Sequence, residues 1–118
     1  MALFGWLRGK LSPQYRADWI LGQAILHAKA GRTKDALDNY SAVIAIEEAS
    51  PNTRAMALFN RGLLRSAAGD NAAAVKDLER ILEMPGVREQ VVTESRRKLM
   101  RMTRTTDRMS PPSGGSAE

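Results

Sequence analysis

The chain has 118 residues, of which 43% are hydrophobic and 26% are charged, a composition typical of one small globular domain and unlike that of a wholly disordered chain. It contains no cysteine and one histidine, His27, which excludes disulfides, zinc ribbons, thiolate catalysis and metal-binding histidine clusters. Lys and Arg number 18 against 13 Asp and Glu, and this net charge of +5 raises the question of an anionic partner, either nucleic acid or a membrane surface.

The first predicted element is an apolar N-terminal segment, residues 1–11. Its positive charges, Arg8 and Lys10, follow the apolar residues, whereas a secretory signal begins with positive charge and needs a longer apolar run. No stretch approaches the roughly 18 apolar residues of a membrane span, so we expect a cytoplasmic protein. The larger apolar side chains of the segment fall on one helical face, formed by Leu3, Phe4, Leu7 and Leu11. This segment either covers an apolar surface of the same chain or lies weakly on a membrane, with Trp6 at the interface.

An internal repeat organises the chain that follows. A shift of 38 residues aligns residues 12–49 with residues 50–87 without a gap. The identical pairs include Ser12-Pro13 with Ser50-Pro51, Arg16-Ala17 with Arg54-Ala55, Ala30-Gly31 with Ala68-Gly69, and Ala36 with Ala74. Conservative apolar pairs fill the positions between them, so we predict two tandem structural units.

Each unit is predicted to consist of two helices. Serine followed by proline is a typical helix start, and Gly31 or Gly69 supplies the left-handed stop after the first helix. Thr33 in unit one, and Asp70 or Asn71 in unit two, are the candidate caps of the second helix. Apolar residues of that helix recur at 36, 37, 40, 43 and 44 and again 38 residues later, which is the spacing of one helical face. The sequence therefore predicts an all-α fold of stacked antiparallel hairpins.

A third segment, residues 87–104, does not follow the repeat. Val91, Val92, Leu99 and Met102 form an apolar stripe that Ser95 interrupts, which predicts a helix that caps the stack. The remainder, residues 106–118, is poor in apolar side chains and is predicted to be a disordered tail.

A stripe of arginines runs along this capping helix. Its members recur at helical spacing and are Arg97, Arg101, Arg104 and Arg108, which we call the basic stripe. It indicates either contact with an acidic partner, anionic lipid or RNA phosphate, or a solvated face whose charge suits a helix C-terminus. No aromatic residues alternate with the basic ones, which disfavours nucleic acid as a partner.

The two units resemble the tetratricopeptide repeat family. In unit two, the resemblance is carried by Leu58, Gly62, Ala68-Gly69-Asp70, Ala74, Leu78 and Ile81, and in unit one by Ile20, Ala24, Gly31, Ala36, Tyr40 and Val43. The small residues Ala24 and Gly62 allow the second helix of each hairpin to approach closely. The period is 38 residues instead of about 34, and Trp19 lies one position before the aromatic residue of the family pattern.

This resemblance implies an α–α superhelix with a concave groove that binds a peptide or a helix of another protein. Carried over residue by residue, the groove residues are Leu21, Ile25, Ala28, Met56, Phe59, Asn60 and Leu63. Apolar Leu21 and Ile25 stand where some relatives have the Lys and Asn of a carboxylate clamp, so an apolar groove is expected.

The function expected from the sequence is a non-catalytic adaptor whose partner is a protein or peptide. No nucleophile or phosphate-loop motif occurs, and no cofactor or metal site is expected. Two alternatives remain open, namely a peripheral membrane scaffold that uses the N-terminal segment and the basic stripe, and a self-associating structural unit. Residues 13–85 carry equal numbers of acidic and basic side chains, so the net positive charge belongs to the two flanks.

Overall fold

The computed structural model describes residues 12–109, with side chains described as far as Arg104. This part of the chain is all-α and contains no strand. Its five helices are α1 (Pro13–Lys29), α2 (Thr33–Ala45), α3 (Pro51–Ala67), α4 (Asn71–Glu83) and α5 (Glu89–Met109). The predictions for residues 1–11 and for residues 110–118 lie outside the described residues.

The helix boundaries repeat with the offset that the sequence shows, because α3 and α4 begin and end 38 residues after α1 and α2. Both first helices start in the same way. The Ser12 hydroxyl accepts a hydrogen bond from the backbone N–H of Tyr15 at 3.0 Å, and the Ser50 hydroxyl accepts one from Thr53 at 3.1 Å. Proline occupies the first helical position in each case, where its missing N–H costs nothing.

Glycine ends the first helix of each hairpin. Gly31 and Gly69 have φ angles of +79° and +92°, a conformation that residues with a Cβ atom rarely adopt. The backbone N–H after each glycine turns back to the helix, from Arg32 to the His27 carbonyl at 2.9 Å and from Asp70 to the Arg65 carbonyl at 2.8 Å. These bonds satisfy carbonyls at the helix end and allow the second helix to start immediately.

The second helices start differently in the two units. Asp70 caps α4, accepting a hydrogen bond from the Ala73 N–H at 3.2 Å, as predicted. The prediction of Thr33 as a cap is wrong, because Thr33 is already the first residue of α2 and the N-cap position is held by Arg32. The Arg32 side chain makes no capping bond and instead donates from Nε to the His27 Nδ1 at 3.1 Å.

Neighbouring helices pack in chain order, so that α1 and α2 form one hairpin, α3 and α4 form the second, and α2 and α4 pack on the next helix along. Small residues bring the helices close together. At Gly62 an added Cβ would lie 3.4 Å from the Ala74 carbonyl oxygen, an ordinary contact distance that leaves no room for a larger side chain. The equivalent Ala24 is fully buried. The buried core is rich in alanine, because closely packed helices leave room only for small side chains between them.

A polar network connects the first helices of the two hairpins. Gln14 donates from Nε2 to Asp18 at 2.9 Å and to the Thr53 hydroxyl at 2.8 Å, and it accepts from the Ser50 backbone N–H at 2.6 Å. The Thr53 hydroxyl donates to Asp18 at 3.2 Å. This network ties the start of α3 to the start of α1 and so fixes how the hairpins stack.

A buried charge cluster connects three helices. Asp77 on α4 is 3% exposed, and its carboxylate accepts hydrogen bonds from Arg61 at 2.7 and 3.0 Å and from Arg65 at 3.0 and 3.1 Å. Arg61 also donates to the Ser41 hydroxyl on α2 at 2.9 Å. Since both guanidinium groups share one carboxylate, the cluster depends on Asp77 remaining charged.

The capping helix α5 is longer than predicted. It starts at Glu89 and continues to Met109, so residues 106–109 belong to the helix instead of the predicted tail. Ser95 interrupts the apolar stripe in sequence but is fully buried. Its hydroxyl is satisfied inside the core, because it donates to the Val91 carbonyl at 2.8 Å. None of the helices in residues 12–109 combines the length and the hydropathy needed to cross a bilayer.

Candidate protein-binding groove

The residues predicted to line a groove lie on the first helices of the hairpins, α1 and α3. Met56 is 37% exposed. The other six are half-buried, namely Leu21, Ile25, Ala28, Phe59, Asn60 and Leu63. Each of them therefore keeps part of its surface toward solvent, while several also pack against the buried core.

Two of these residues line an open cleft of about 380 Å³ between α3 and α5, which we call the α3–α5 cleft. Its residues are Met56 and Phe59 from α3, and Arg88, Gln90, Val91 and Glu94 from the start of α5. Met56 and Phe59 are three positions apart and share one face of α3, as Gln90, Val91 and Glu94 share one face of α5. The cleft therefore has an apolar floor and a polar rim.

The turn between α4 and α5 positions this rim. Gly86 has a φ of +79°, and a Cβ added there would lie 3.2 Å from the Cγ of Pro51 at the start of α3. Next to it, the Arg88 backbone N–H donates to the Asn52 side-chain oxygen at 2.7 Å. The start of α5 is thereby held against the start of α3, and this contact sets the width of the cleft.

The rim carries charges of both signs. Arg88 lies before the first turn of α5 and Glu94 lies one and a half turns further on. Glu94 accepts a hydrogen bond from Arg97 at 2.8 Å, and both side chains are largely solvated, so this ion pair contributes little to stability. The pair connects the basic stripe to the rim of the cleft.

The remaining groove residues are not in this cleft. Leu21, Ile25 and Ala28 lie on α1, where they pack against the core and present a half-buried apolar surface. Asn60 and Leu63 continue along α3 beyond Phe59. The sequence missed Val91 as a cleft residue, because its spacing places it in the packing stripe of α5 and only the tertiary contact shows that one side borders the cleft.

The three described members of the basic stripe, Arg97, Arg101 and Arg104, are exposed, and two of them border different clefts beside α5. Arg101 borders a cleft of about 210 Å³, together with Ser66, Asn71, Lys98 and Met102. Arg104 borders one of about 440 Å³, together with Glu79, Arg96, Leu99, Met100 and Thr103. The side chain of Arg108 lies outside the described residues. Since the arginines face different clefts, the stripe does not form a single binding pocket.

Within residues 12–109 the structure brings together no group of three or more His, Asp or Glu side chains that could hold a metal ion. His27 is half-buried and is engaged by Arg32. The buried carboxylate of Asp77 is fully used by Arg61 and Arg65. Both side chains are therefore bonded to arginines within the fold.

The fold defines a class of protein, an all-α array of two stacked helical hairpins closed by a single helix. In comparisons with protein-family models, with curated proteins and with solved structures, none matched this chain. The resemblance to tetratricopeptide repeats rests on the residues of the two units, and the function has to follow from the surfaces themselves.

Proposed function

We propose that this protein is a cytoplasmic, non-catalytic adaptor of the tetratricopeptide-repeat type, which binds a helix or peptide of a partner protein. The observation that carries the proposal is the α3–α5 cleft, where Met56, Phe59 and Val91 form an apolar floor beside a rim that carries charges of both signs. An apolar groove between helices is the usual receptor for the apolar face of an amphipathic helix.

The dimensions of the cleft suit a few side chains of a larger ligand. Its volume of about 380 Å³ lies near the lower end of the range for small-molecule pockets, roughly 300–1,000 Å³. A helix would place two apolar residues, at positions i and i+3 or i+4, over Met56 and Phe59. A longer ligand would continue along α3 over Asn60 and Leu63 and onto Leu21 and Ile25 of α1.

The rigidity of the cleft lowers the entropic cost of binding a ligand. The cleft walls are helices held by the Gly86–Pro51 contact and the Arg88–Asn52 hydrogen bond, so little backbone entropy is lost when a ligand docks. Charges at the rim orient the ligand, because Arg88 favours an acidic side chain at one end and Glu94 a basic one at the other.

The test compares two variants with the same chemical change. Met56→Glu places a charge in the cleft, whereas Met100→Glu places it at a 55% exposed position that lies outside the cleft. Wild type and both variants serve as bait to capture partner proteins. The binding segment of each captured protein is then mapped, and its affinity for each of the three purified chains is measured by calorimetry. We expect Met56→Glu to weaken binding at least tenfold and Met100→Glu to leave it unchanged. Equal affinity for all three baits would refute the proposal.

A second candidate is a peripheral membrane scaffold. The observation in its favour is the run of exposed cations on α5, since the stretch 95–104 contains five basic residues and no acidic one. Such binding would depend strongly on salt, because exposed charges are screened beyond about 10 Å at 0.1 M. Co-sedimentation with phosphatidylserine vesicles distinguishes the two functions, since binding to the apolar cleft should persist in high salt and binding to vesicles should not.

A further inference from the structure

The outer face of α1 is an exposed apolar surface. We give this name to the surface formed by Tyr15, Trp19, Gly22 and Leu26, which recur at helical spacing along one side of the helix. The three large side chains are 55%, 60% and 58% exposed. An added Cβ at Gly22 would have no atom within 4 Å, so the face has a notch at its centre.

The same face is a stacking surface in the second hairpin. With the 38-residue offset, Tyr15 and Trp19 correspond to Thr53 and Ala57 on α3. Thr53 is 9% exposed and is bonded to Gln14 and Asp18 of the preceding hairpin, and Ala57 is fully buried. The Tyr15 and Trp19 half of the outer face therefore occupies positions that are covered in the second hairpin, while Gly22 and Leu26 correspond to the half-buried Asn60 and Leu64. Within residues 12–109 no hairpin precedes α1.

The composition of α1 also suits a buried helix. From Trp19 to Ala28 the sequence WILGQAILHA contains no acidic residue, lysine or arginine, whereas the equivalent stretch of α3 contains Arg61 and Arg65. The charged residues of α1, namely Arg16, Asp18 and Lys29, are exposed and lie before and after this stretch, so its middle part has the composition of a covered helix. The inner side of α1 packs on α2 and the core, so the outer face is the side that no other helix of residues 12–109 covers.

The face is complementary to itself. If two copies of α1 cross antiparallel, with Trp19 opposite Gly22, then Tyr15 falls opposite Leu26, and each pairing occurs twice. The indole ring of Trp19 would enter the notch at Gly22, and the ring of Tyr15 would lie on the side chain of Leu26. Glycine inside a helix weakens that helix, and nothing in the described part of the chain uses the space at Gly22. A partner that fills the notch gives this glycine a role.

We propose that a second copy of this chain covers the outer face of α1, which makes the protein a two-fold symmetric dimer. Trp19 of each copy packs at Gly22 of the partner subunit. The interface is isologous and closes with two copies, so no larger assembly forms through it. It is independent of the α3–α5 cleft, and a dimer would present two such clefts for bivalent binding.

The test is the mass of the full chain in solution, measured by sedimentation equilibrium over a wide concentration range. The decisive variant is Gly22→Glu, which fills the notch and brings two like charges together, yet has free space around it in the single chain. Met100→Glu is the matched control, with the same charge at an exposed position on α5. We expect wild type and the control to sediment as dimers and Gly22→Glu as a monomer with unchanged helical content.

Three results would overturn the proposal. They are a wild type that remains monomeric up to about 1 mM, a Gly22→Glu variant that still dimerises like the wild type, and a wild type that forms species larger than dimers. Acrylamide quenching of Trp19, in a Trp6→Phe background, identifies the alternative cover. If the monomeric wild type shields Trp19 and removal of residues 2–11 exposes it, the N-terminal segment occupies the face and the dimer is refuted.

Discussion

Replacing Asp77 with alanine should destabilise the protein more than any other single loss of charge among the described residues. The Asp77 carboxylate is 3% exposed and accepts four hydrogen bonds, two from Arg61 and two from Arg65. The variant leaves two positive charges next to each other, with the Arg61 side chain 14% exposed and the Arg65 side chain 29% exposed. Arg65 can recover part of its hydration from solvent, whereas Arg61 can do so much less.

Removing one partner of a buried ion pair typically costs about 3–5 kcal/mol, and we expect a loss in this range. This is a large part of the roughly 5–15 kcal/mol that stabilises a small domain. The unfolding midpoint should fall by more than about 12 °C, since each kcal/mol shifts a domain of this size by about 4–8 °C. Urea denaturation followed by circular dichroism measures the loss directly, provided that the slope of the transition is unchanged.

The matched control is Asp38→Ala, which breaks the ion pair with Lys34. That pair is 3.2 Å long, but its side chains are 89% and 65% exposed, so its loss should cost only about 0.3–0.5 kcal/mol. If Asp77→Ala costs no more than Asp38→Ala, the carboxylate does not hold the three helices together and the reasoning is refuted.

Three further predictions concern close packing, burial and capping. Gly62→Ala should stabilise the protein by about 0.5–1 kcal/mol in urea denaturation, since its Cβ lies at contact distance from the Ala74 carbonyl, while Gly62→Val should destabilise it by about 1–3 kcal/mol. Burial raises the pKa of the Tyr40 phenol above its usual 10.0, so its contribution to stability is complete below pH 10 and is lost as the pH rises through the folded pKa; in a phenolate absorbance titration of a Tyr15→Phe variant, Tyr40 should ionise above pH 10.0. Ser50→Ala should lower the free energy of unfolding by about 1 kcal/mol, because it removes the cap of α3, and an unchanged value would show that the 3.1 Å bond contributes nothing.

Local signals explain why the sequence predicted the helices well. Ser12 and Ser50 cap α1 and α3, and Gly31 and Gly69 end them, because each device acts through hydrogen bonds or dihedral angles of adjacent residues. The prediction for Thr33 is wrong, because a threonine after a turn can be either the cap or the first residue of a helix. In the structure Thr33 is the first residue of α2.

Contacts between residues on different helices could not be predicted from the sequence. Asp77 lies 12 residues from Arg65 and 16 from Arg61, and no spacing rule links residues on different helices. Val91 has the pattern of a packing residue and does pack against the core, yet it also borders the cleft between α3 and α5. The sequence alone does not show that Trp19 is 60% exposed while its equivalent on α3, Ala57, is fully buried.

The most direct test of the α3–α5 cleft as a binding site is selection of displayed peptides on the wild-type protein, with counter-selection on Met56→Glu. The selected peptides should carry apolar residues at positions i and i+3 or i+4, bind one per chain, and lose at least tenfold in affinity with Met56→Glu but not with Met100→Glu. Their affinity should change little between low and high salt. Peptides that bind wild type and Met56→Glu equally well, or a selection that yields no such pattern, would contradict the proposal that this cleft receives an apolar segment of a partner.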